Sequence, residues 1–226
     1  MPVSLLKIRD ATDFQRAFSV PHETVERLTI YEALLRQWQN AVNLVAPSTL
    51  DEIWSRHFAD SAQLTAFAPN ALKWLDLGTG AGFPGLVIAI ILANHEHRSV
   101  HLIESNSRKC AFLHEVARRT GVRITLHEGR IEDVARGGRV KDIDVVTARA
   151  LAPLDRLLGL SETFFSETTV GLFLKGREAA REIEEAQERR KFRHQNFSFS
   201  SVPSRVTGEG SIVEVRRVGL SGGISS

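Results

Sequence analysis

Apolar residues recur at Val25, Leu28, Tyr31, Leu35, Trp38 and Val42 in steps of three and four, which predicts an amphipathic helix from Pro21 to Val42. Pro47 is expected to break it, and Thr49-Leu50-Asp51-Glu52 reads as a capping box that starts a second helix. That helix would carry Ile53, Trp54, Phe58, Leu64 and Phe67 as its stripe and close at Pro69. Residues 1–70 are thus expected to form a helical extension without a strand, packed on the core of the remaining chain. Beyond Ala71 the period changes. Strand candidates Trp74–Leu77, Val100–Ile103, Arg123–Leu126 and Ile143–Val146 alternate with helical stretches near 84–94, 107–120 and 153–166. A fifth strand, Val170–Leu174, precedes a charged helix at about 177–192, and two alternating runs, 195–202 and 211–218, come after it as an antiparallel pair. The expected fold is α/β and Rossmann-like: a seven-stranded, mostly parallel sheet over residues 71–218 with helices on both faces. Residues 219–226, rich in glycine and serine, read as a loose tail. Trp38, Trp54 and Trp74 fall in the apolar stripes and are expected in the core.

Length and composition narrow the classes. A chain of 226 residues has room for one sizeable core and a small extension. The longest apolar run, Leu86–Ala93, is far too short to cross a bilayer, and no apolar block with a small-residue cleavage site stands near Lys7 and Arg9. A cytoplasmic protein without membrane partners is expected. The one cysteine, Cys110, stands among Phe112, Leu113 and Val116 and reads as a small core residue rather than a catalytic thiol. His95 and His97 have no carboxylate companions, and we expect no metal. A net charge of +2 does not draw the chain onto nucleic acid by itself. Local clusters are Arg189, Arg190, Lys191, Arg193 and His194, and the pair Arg118 and Arg119; each is either a solvated helix face or an RNA contact.

Candidate chemistry begins at Asp76-Leu77-Gly78-Thr79-Gly80-Ala81-Gly82, a glycine turn between an expected strand and an expected helix. Such a turn lets backbone amides approach a ligand closely. A dinucleotide fingerprint wants its third glycine where Phe83 stands, so the spacing disfavours NAD. Asp76 sharpens the choice, because a carboxylate repels a pyrophosphate and suits the ammonium and sulfonium of S-adenosylmethionine. Glu104, at the end of the second strand, suits ribose hydroxyls in either case. Pro84 fits the first turn of the next helix. A class I methyltransferase with S-adenosylmethionine as cofactor is the reading, with Asp76, Gly78, Gly80, Gly82, Phe83, Glu104 and Ser105 around it.

The residues also resemble one family closely, the bacterial small-subunit ribosomal RNA guanine-N7 methyltransferases, historically called glucose-inhibited division protein B. The resemblance spans roughly residues 28–218. Its motifs are Asn43-Leu44, His57-Phe58-Ala59-Asp60-Ser61, Asp76 to Gly85 with its Phe-Pro-Gly extension, Glu104-Ser105 followed by Arg108-Lys109, Phe112-Leu113, Gly129-Arg130-Ile131-Glu132, Ala148-Arg149-Ala150 and Lys175-Gly176. The family likeness implies that Gly78 and Phe83 contact the donor, that Glu104 takes its ribose and that Ile131 and Glu132 lie along its adenine. It puts Arg149 in the same pocket. It further implies transfer of a methyl group to N7 of one guanine of 16S rRNA, with the small ribosomal subunit or an assembly intermediate as partner.

Guanine N7 carries a free lone pair, so no proton has to leave before attack and alignment dominates. His57, Asp60 and Ser61 share one helix face, which could border the pocket or lock the helix onto the sheet. His57, Asp60 and Arg149 are the possible catalytic residues. Arg149 could bind the donor's carboxylate, an RNA phosphate or a structural partner. Arg108, Lys109, Arg130 and Lys175 are candidates for phosphate contact. Competing readings are a class I methyltransferase with another RNA or small-molecule acceptor, an NAD-dependent oxidoreductase and a non-catalytic RNA-binding module. An Asn-Pro-Pro-Tyr type motif for amine methylation is absent where Ala148-Arg149-Ala150-Leu151 stands.

Overall fold

The computed structural model describes residues 5–190, 197–208 and 210–218. Seven strands form one sheet in the order β3-β2-β1-β4-β5-β7-β6: β1 Lys73–Leu77, β2 Ser99–Glu104, β3 Thr125–Glu128, β4 Val145–Arg149, β5 Val170–Lys175, β6 Phe197–Pro203 and β7 Ser211–Arg217. The first five are parallel, and β7 runs antiparallel to both β5 and β6.

Both faces of the sheet are covered, as near-continuous apolar strands require. The period-two alternation sends Trp74, Val100, Leu102, Val145 and Leu172 into one core, and Leu75, Leu77, Ile103, Val146 and Phe173 into the other. The first core is closed by α2 His22–Val42, α4 Gly85–Ile91 and α5 Ser107–Thr120. The second is closed by α6 Ile131–Arg136, α7 Leu154–Ser161 and α8 Ala179–Arg190. The helical extension shares its core with the sheet: Phe14, Leu28, Tyr31, Leu35 and Phe58 are fully buried in the same cluster as Trp74 and Leu102. All three tryptophans pack there, Trp38 from its margin.

Several boundaries differ from the sequence reading, each for a local reason. A short helix, α1 Ala11–Phe18, precedes α2; Asp10 caps it by accepting from the Asp13 amide at 2.9 Å. α2 stops at Val42 because Asn43 is left-handed, four residues before Pro47. The capping box does not form. Thr49 instead ends a 3-10 turn, Pro47–Thr49, and its hydroxyl donates to the Ala46 carbonyl at 2.8 Å. The expected second helix is a π-helical turn, Ile53–Ala59, then one α-turn, α3 Asp60–Ala62, and a 3-10 stretch, Gln63–Phe67. Pro84 caps α4 rather than standing inside it, and the expected helix at 153–166 finishes as a 3-10 turn, Glu162–Phe164. α6 had no apolar stripe long enough to announce it. β3 and β4 start two residues later than expected, at Thr125 and Val145. Cys110 is buried, its thiol pushed up to about 11 chiefly by that burial, in keeping with a packing role. Residues 191–196, which hold Lys191, Arg193 and His194 and the start of the expected strand at 195, and the tail at 219–226 lie outside the described residues.

Asp76 joins the centre of this architecture. Its carboxylate, 1% exposed, accepts from the Thr147 hydroxyl on neighbouring β4 at 2.8 Å and from the Gly85 amide at the start of α4 at 3.0 Å. Only glycine fits at position 85, where a Cβ would meet the Asp76 Cβ at 2.6 Å. Burial pushes the Asp76 carboxyl from the ordinary 3.8 up to about 6, against the pull of those hydrogen bonds. Between these two values the folded chain holds a proton that the unfolded chain has released. The contribution of this group to stability is therefore full below about 4 and is lost as pH rises through 6, to an extent on the order of 3 kcal/mol. Urea unfolding of wild type and Asp76→Asn should accordingly show the wild type losing stability relative to the variant from pH 4 to pH 7. A difference that stays flat over this range would contradict the assignment.

Candidate donor crevice and acceptor cavity

The glycine turn leaves the carboxyl end of β1 with Gly78, Gly80 and Gly82 all at positive φ, +60°, +60° and +99°. The three glycines answer to different neighbours. At Gly78 a Cβ would strike Leu151 at 2.5 Å, and at Gly82 it would strike the Tyr31 hydroxyl at 2.5 Å, so both are small because protein packs against them. At Gly80 nothing lies nearer than 3.9 Å, and a side chain there would reach into open space. Gly80 faces the crevice.

Glu104 closes that crevice from β2. Its Oε1 accepts from the Ser105 and Asn106 amides at 2.9 and 2.8 Å, and its Oε2 accepts from the Gly80 amide at 2.9 Å. Of about four lone-pair directions on a carboxylate, one on Oε2 stays open. The same side chain therefore shapes the glycine turn and keeps an acceptor beside it. Ile131 is buried at the start of α6, whereas Glu132 and Ser105 are exposed at the rim. The charge argument built on Asp76 needs correcting: its carboxylate is turned into the protein behind the turn and does not face the crevice.

Phe83, buried directly after the turn, is packed among three other elements. Its ring stacks with Tyr31 at 5.4 Å and with His57 at 4.7 Å, and the Arg149 guanidinium lies over it at 4.9 Å. Tyr31 also donates a short hydrogen bond to the Ala81 carbonyl, so α2 grips the glycine turn directly. Beyond Arg149 lies a cavity of about 590 Å³ at the carboxyl ends of β4 and β5, lined by Thr49, Arg56, His57, Asp60, Arg149, Lys175 and Arg177 among others. Open parallel sheets take ligands at these strand ends.

His57 is neutral. Burial first, then the Arg149 and Arg56 guanidiniums, bring its imidazole down to about 3. Its Nδ1 faces Arg149 at 2.6 Å and its Nε2 faces Thr49 Oγ1 at 2.8 Å, so neither nitrogen is free to move a substrate proton. Asp60 is nearly buried, and this pushes its carboxyl up; it accepts from Gln63 at 2.8 Å and Ser204 at 3.2 Å, tying the α3 turn to the loop after β6. Ser61 bonds back to the His57 carbonyl and is fully buried, away from the cavity.

The candidate phosphate contacts separate. Lys175 is held inside by the Ala152 carbonyl at 2.6 Å and Glu182 at 2.8 Å, with 7% of its side chain exposed, which corrects its assignment as an open phosphate contact. Arg108 and Arg130 are exposed and Lys109 half-buried, none with an ion pair among the described residues. Arg118 and Arg119 pair with Glu115 on their own helix, and Arg189 pairs with Asp155 at 2.6 Å. Sequence reasoning missed Thr49 and Tyr31 as site neighbours; their partners lie 8 and 50 residues away and leave no local signal. Among the described residues no helix is long and apolar enough to cross a membrane.

Comparison with known proteins agrees with this architecture. A family model described as GidB, rRNA small subunit methyltransferase G, matches residues 24–212. The ribosomal RNA small subunit methyltransferase G of Parvibaculum lavamentivorans is 48% identical over 217 residues, 96% of this chain and 92% of its own length. That of Caulobacter vibrioides is 40% identical, covering 93% of each chain. Among solved structures, the O-methyltransferase TomG from Streptomyces achromogenes in complex with SAM superposes with a TM-score of 0.61 at 14% identity, over 86% of this chain and 90% of that one. An O-methyltransferase from Bacillus cereus in complex with SAH reaches 0.59 at 14% identity, over 84% and 91%. At such identities the likeness concerns the fold: a class I methyltransferase sheet. The oxidoreductase and binding-module alternatives fall with the family match. Matched by that family model over residues 24–212 and 48% identical to one of its named members over 96% of its length, the chain belongs to the rRNA small subunit methyltransferase G family.

Proposed function

We propose that this chain transfers a methyl group from S-adenosylmethionine to N7 of one guanine of 16S rRNA. One observation carries the reading: the glycine turn, open at Gly80 and gripped by Glu104, is joined through the Phe83 ring to Arg149 and His57, which line a cavity of about 590 Å³ at the carboxyl ends of β4 and β5. The residues present suit the donor. Gly80 leaves room for it and Glu104 keeps an acceptor for a ribose hydroxyl, while Ile131, the expected neighbour of its adenine, is buried at the start of α6. When bound, S-adenosylmethionine supplies a methyl group on a positively charged sulfur.

The chain's own side chains then have three tasks. Phe83 and Arg149 tie the glycine turn to the cavity wall and so help to align nucleophile and methyl, and alignment alone can account for much of the acceleration. Arg149, with Arg56 and Arg177 along the same cavity, offers positive charge to phosphate or to the guanine O6. No residue has to remove a proton, because N7 attacks through an existing lone pair. The occupied nitrogens of His57 agree with such a reaction. The exposed Arg108 and Arg130 and the half-buried Lys109, at the starts of α5 and α6, would position RNA without reading its sequence. The finished small subunit, an assembly intermediate and bare rRNA are all open as the form that is methylated.

Mass spectrometry of nucleosides from small-subunit rRNA should show 7-methylguanosine lost at one position when the gene is deleted and restored when it is returned. Unchanged 7-methylguanosine would remove the acceptor assignment. Calorimetry should show the purified chain binding S-adenosylmethionine and S-adenosylhomocysteine. Glu104→Gln should weaken both by roughly 10- to 100-fold, because the amide turns a donor toward backbone N–H groups that need an acceptor. Equal affinity in a folded Glu104→Gln variant would take Glu104 out of the donor site.

A further inference from the structure

We propose that His57 is a positioning residue for methyl transfer: clamped between Thr49 and Arg149, its imidazole holds the Arg149 guanidinium across Phe83 in the wall of the cavity. The inference rests on the methyltransferase reading and assigns a role within that site.

The hydrogen-bond directions leave one arrangement. A guanidinium has donors only, so the contact from Arg149 to His57 Nδ1 at 2.6 Å requires Nδ1 to accept and to carry no proton. The Thr49 hydroxyl has one proton, and it is directed at the Ala46 carbonyl at 2.8 Å. Thr49 Oγ1 must then accept from His57 Nε2 at 2.8 Å, which puts the ring proton on Nε2. The chain of donors runs from Arg149 through His57 and Thr49 to Ala46, each step satisfied. A second nitrogen of Arg149 donates to the Arg56 carbonyl at 2.9 Å, so both anchors of the guanidinium come from the single π-helical turn Ile53–Ala59. Helical turns of this wide kind recur at functional sites.

Protonated His57 would present an N–H to a guanidinium, and the contact would turn repulsive. The groups facing it keep it neutral: Arg149 from β4, Arg56 from its own turn, and burial against Phe83. Two carboxylates attract Arg149, Asp60 and, more weakly, Asp76; Asp76 is buried on Thr147 and Gly85, which leaves Asp60, in the same cavity, as the one within the site. Without the His57 acceptor the guanidinium is free to swing to Asp60 and leave Phe83. His57 thereby decides which of two partners Arg149 takes.

The test compares wild type with His57→Ala, His57→Asn, His57→Gln and Thr49→Val, measuring kcat and KM for donor and for the rRNA substrate, donor affinity by calorimetry, and thermal melting. The Asn side-chain oxygen can occupy the place of Nδ1, whereas Gln reaches the place of Nε2. His57→Ala and His57→Gln should lose kcat by up to about 10²-fold with a smaller change in KM for RNA. His57→Asn should recover most of that loss, and Thr49→Val should fall between. In parallel, 15N spectra of histidine-labelled wild type should show His57 as the Nε2–H tautomer, unchanged from pH 5 to pH 8, whatever the variants do. Wild-type activity in His57→Ala, equal losses in the Asn and Ala variants, or an imidazole that titrates in the ordinary range would each overturn the inference. If wild type binds no S-adenosylmethionine, the methyltransferase reading itself fails; if it binds and methylates while the variants are indifferent, only the role of His57 fails.

Discussion

The ring of Phe83 is the contact on which the site depends. It brings together three stretches of chain that have no covalent reason to meet: Tyr31 of the helical extension, His57 of the π-helical turn and Arg149 at the end of β4. Stacked aromatic pairs of this kind contribute about 0.5–1.5 kcal/mol each beyond the area they bury. Their larger effect here is geometric. Phe83 comes directly after the last glycine of the turn, so whatever fixes its ring also fixes the backbone that borders the donor crevice.

The extension is consequently part of the site and not an appendage. Tyr31 reaches the Ala81 carbonyl from behind the turn, and its hydroxyl fills the space that a side chain at residue 82 would need. The turn is also held by Asp76, whose carboxylate gathers Gly85 and Thr147, and by Glu104 on the Gly80 amide. A loop of glycines has little stiffness of its own, since glycine loses the most conformational freedom on folding. Here three separate side chains supply that stiffness, which leaves Gly80 open while its neighbours are packed.

Electrostatics divide the two hollows. The glycine turn has Glu104 as its acid, whereas the cavity lining holds Arg56, Arg149, Lys175 and Arg177 against Asp60 and Glu182, a balance of positive charge. A cationic donor and a polyanionic acceptor would each meet the opposite charge. His57 sits between the two and stays uncharged because burial and two guanidiniums act in the same direction.

Much of this was legible in the chain alone. Periodicity located α2, α5 and all seven strands, because an apolar stripe or an alternating run is a local consequence of which face is buried. The glycine spacing marked the tight turn after β1, because positive φ and close packing restrict residue type at fixed offsets. The direction of Asp76 and the internal pairing of Lys175 were decided only in three dimensions. So were the failure of the Thr49 capping box and the union of Tyr31, His57, Phe83 and Arg149. Each of these depends on a partner on another element, and a side chain's charge or hydrogen-bonding capacity says what it can bind, while only packing says which neighbour arrives first.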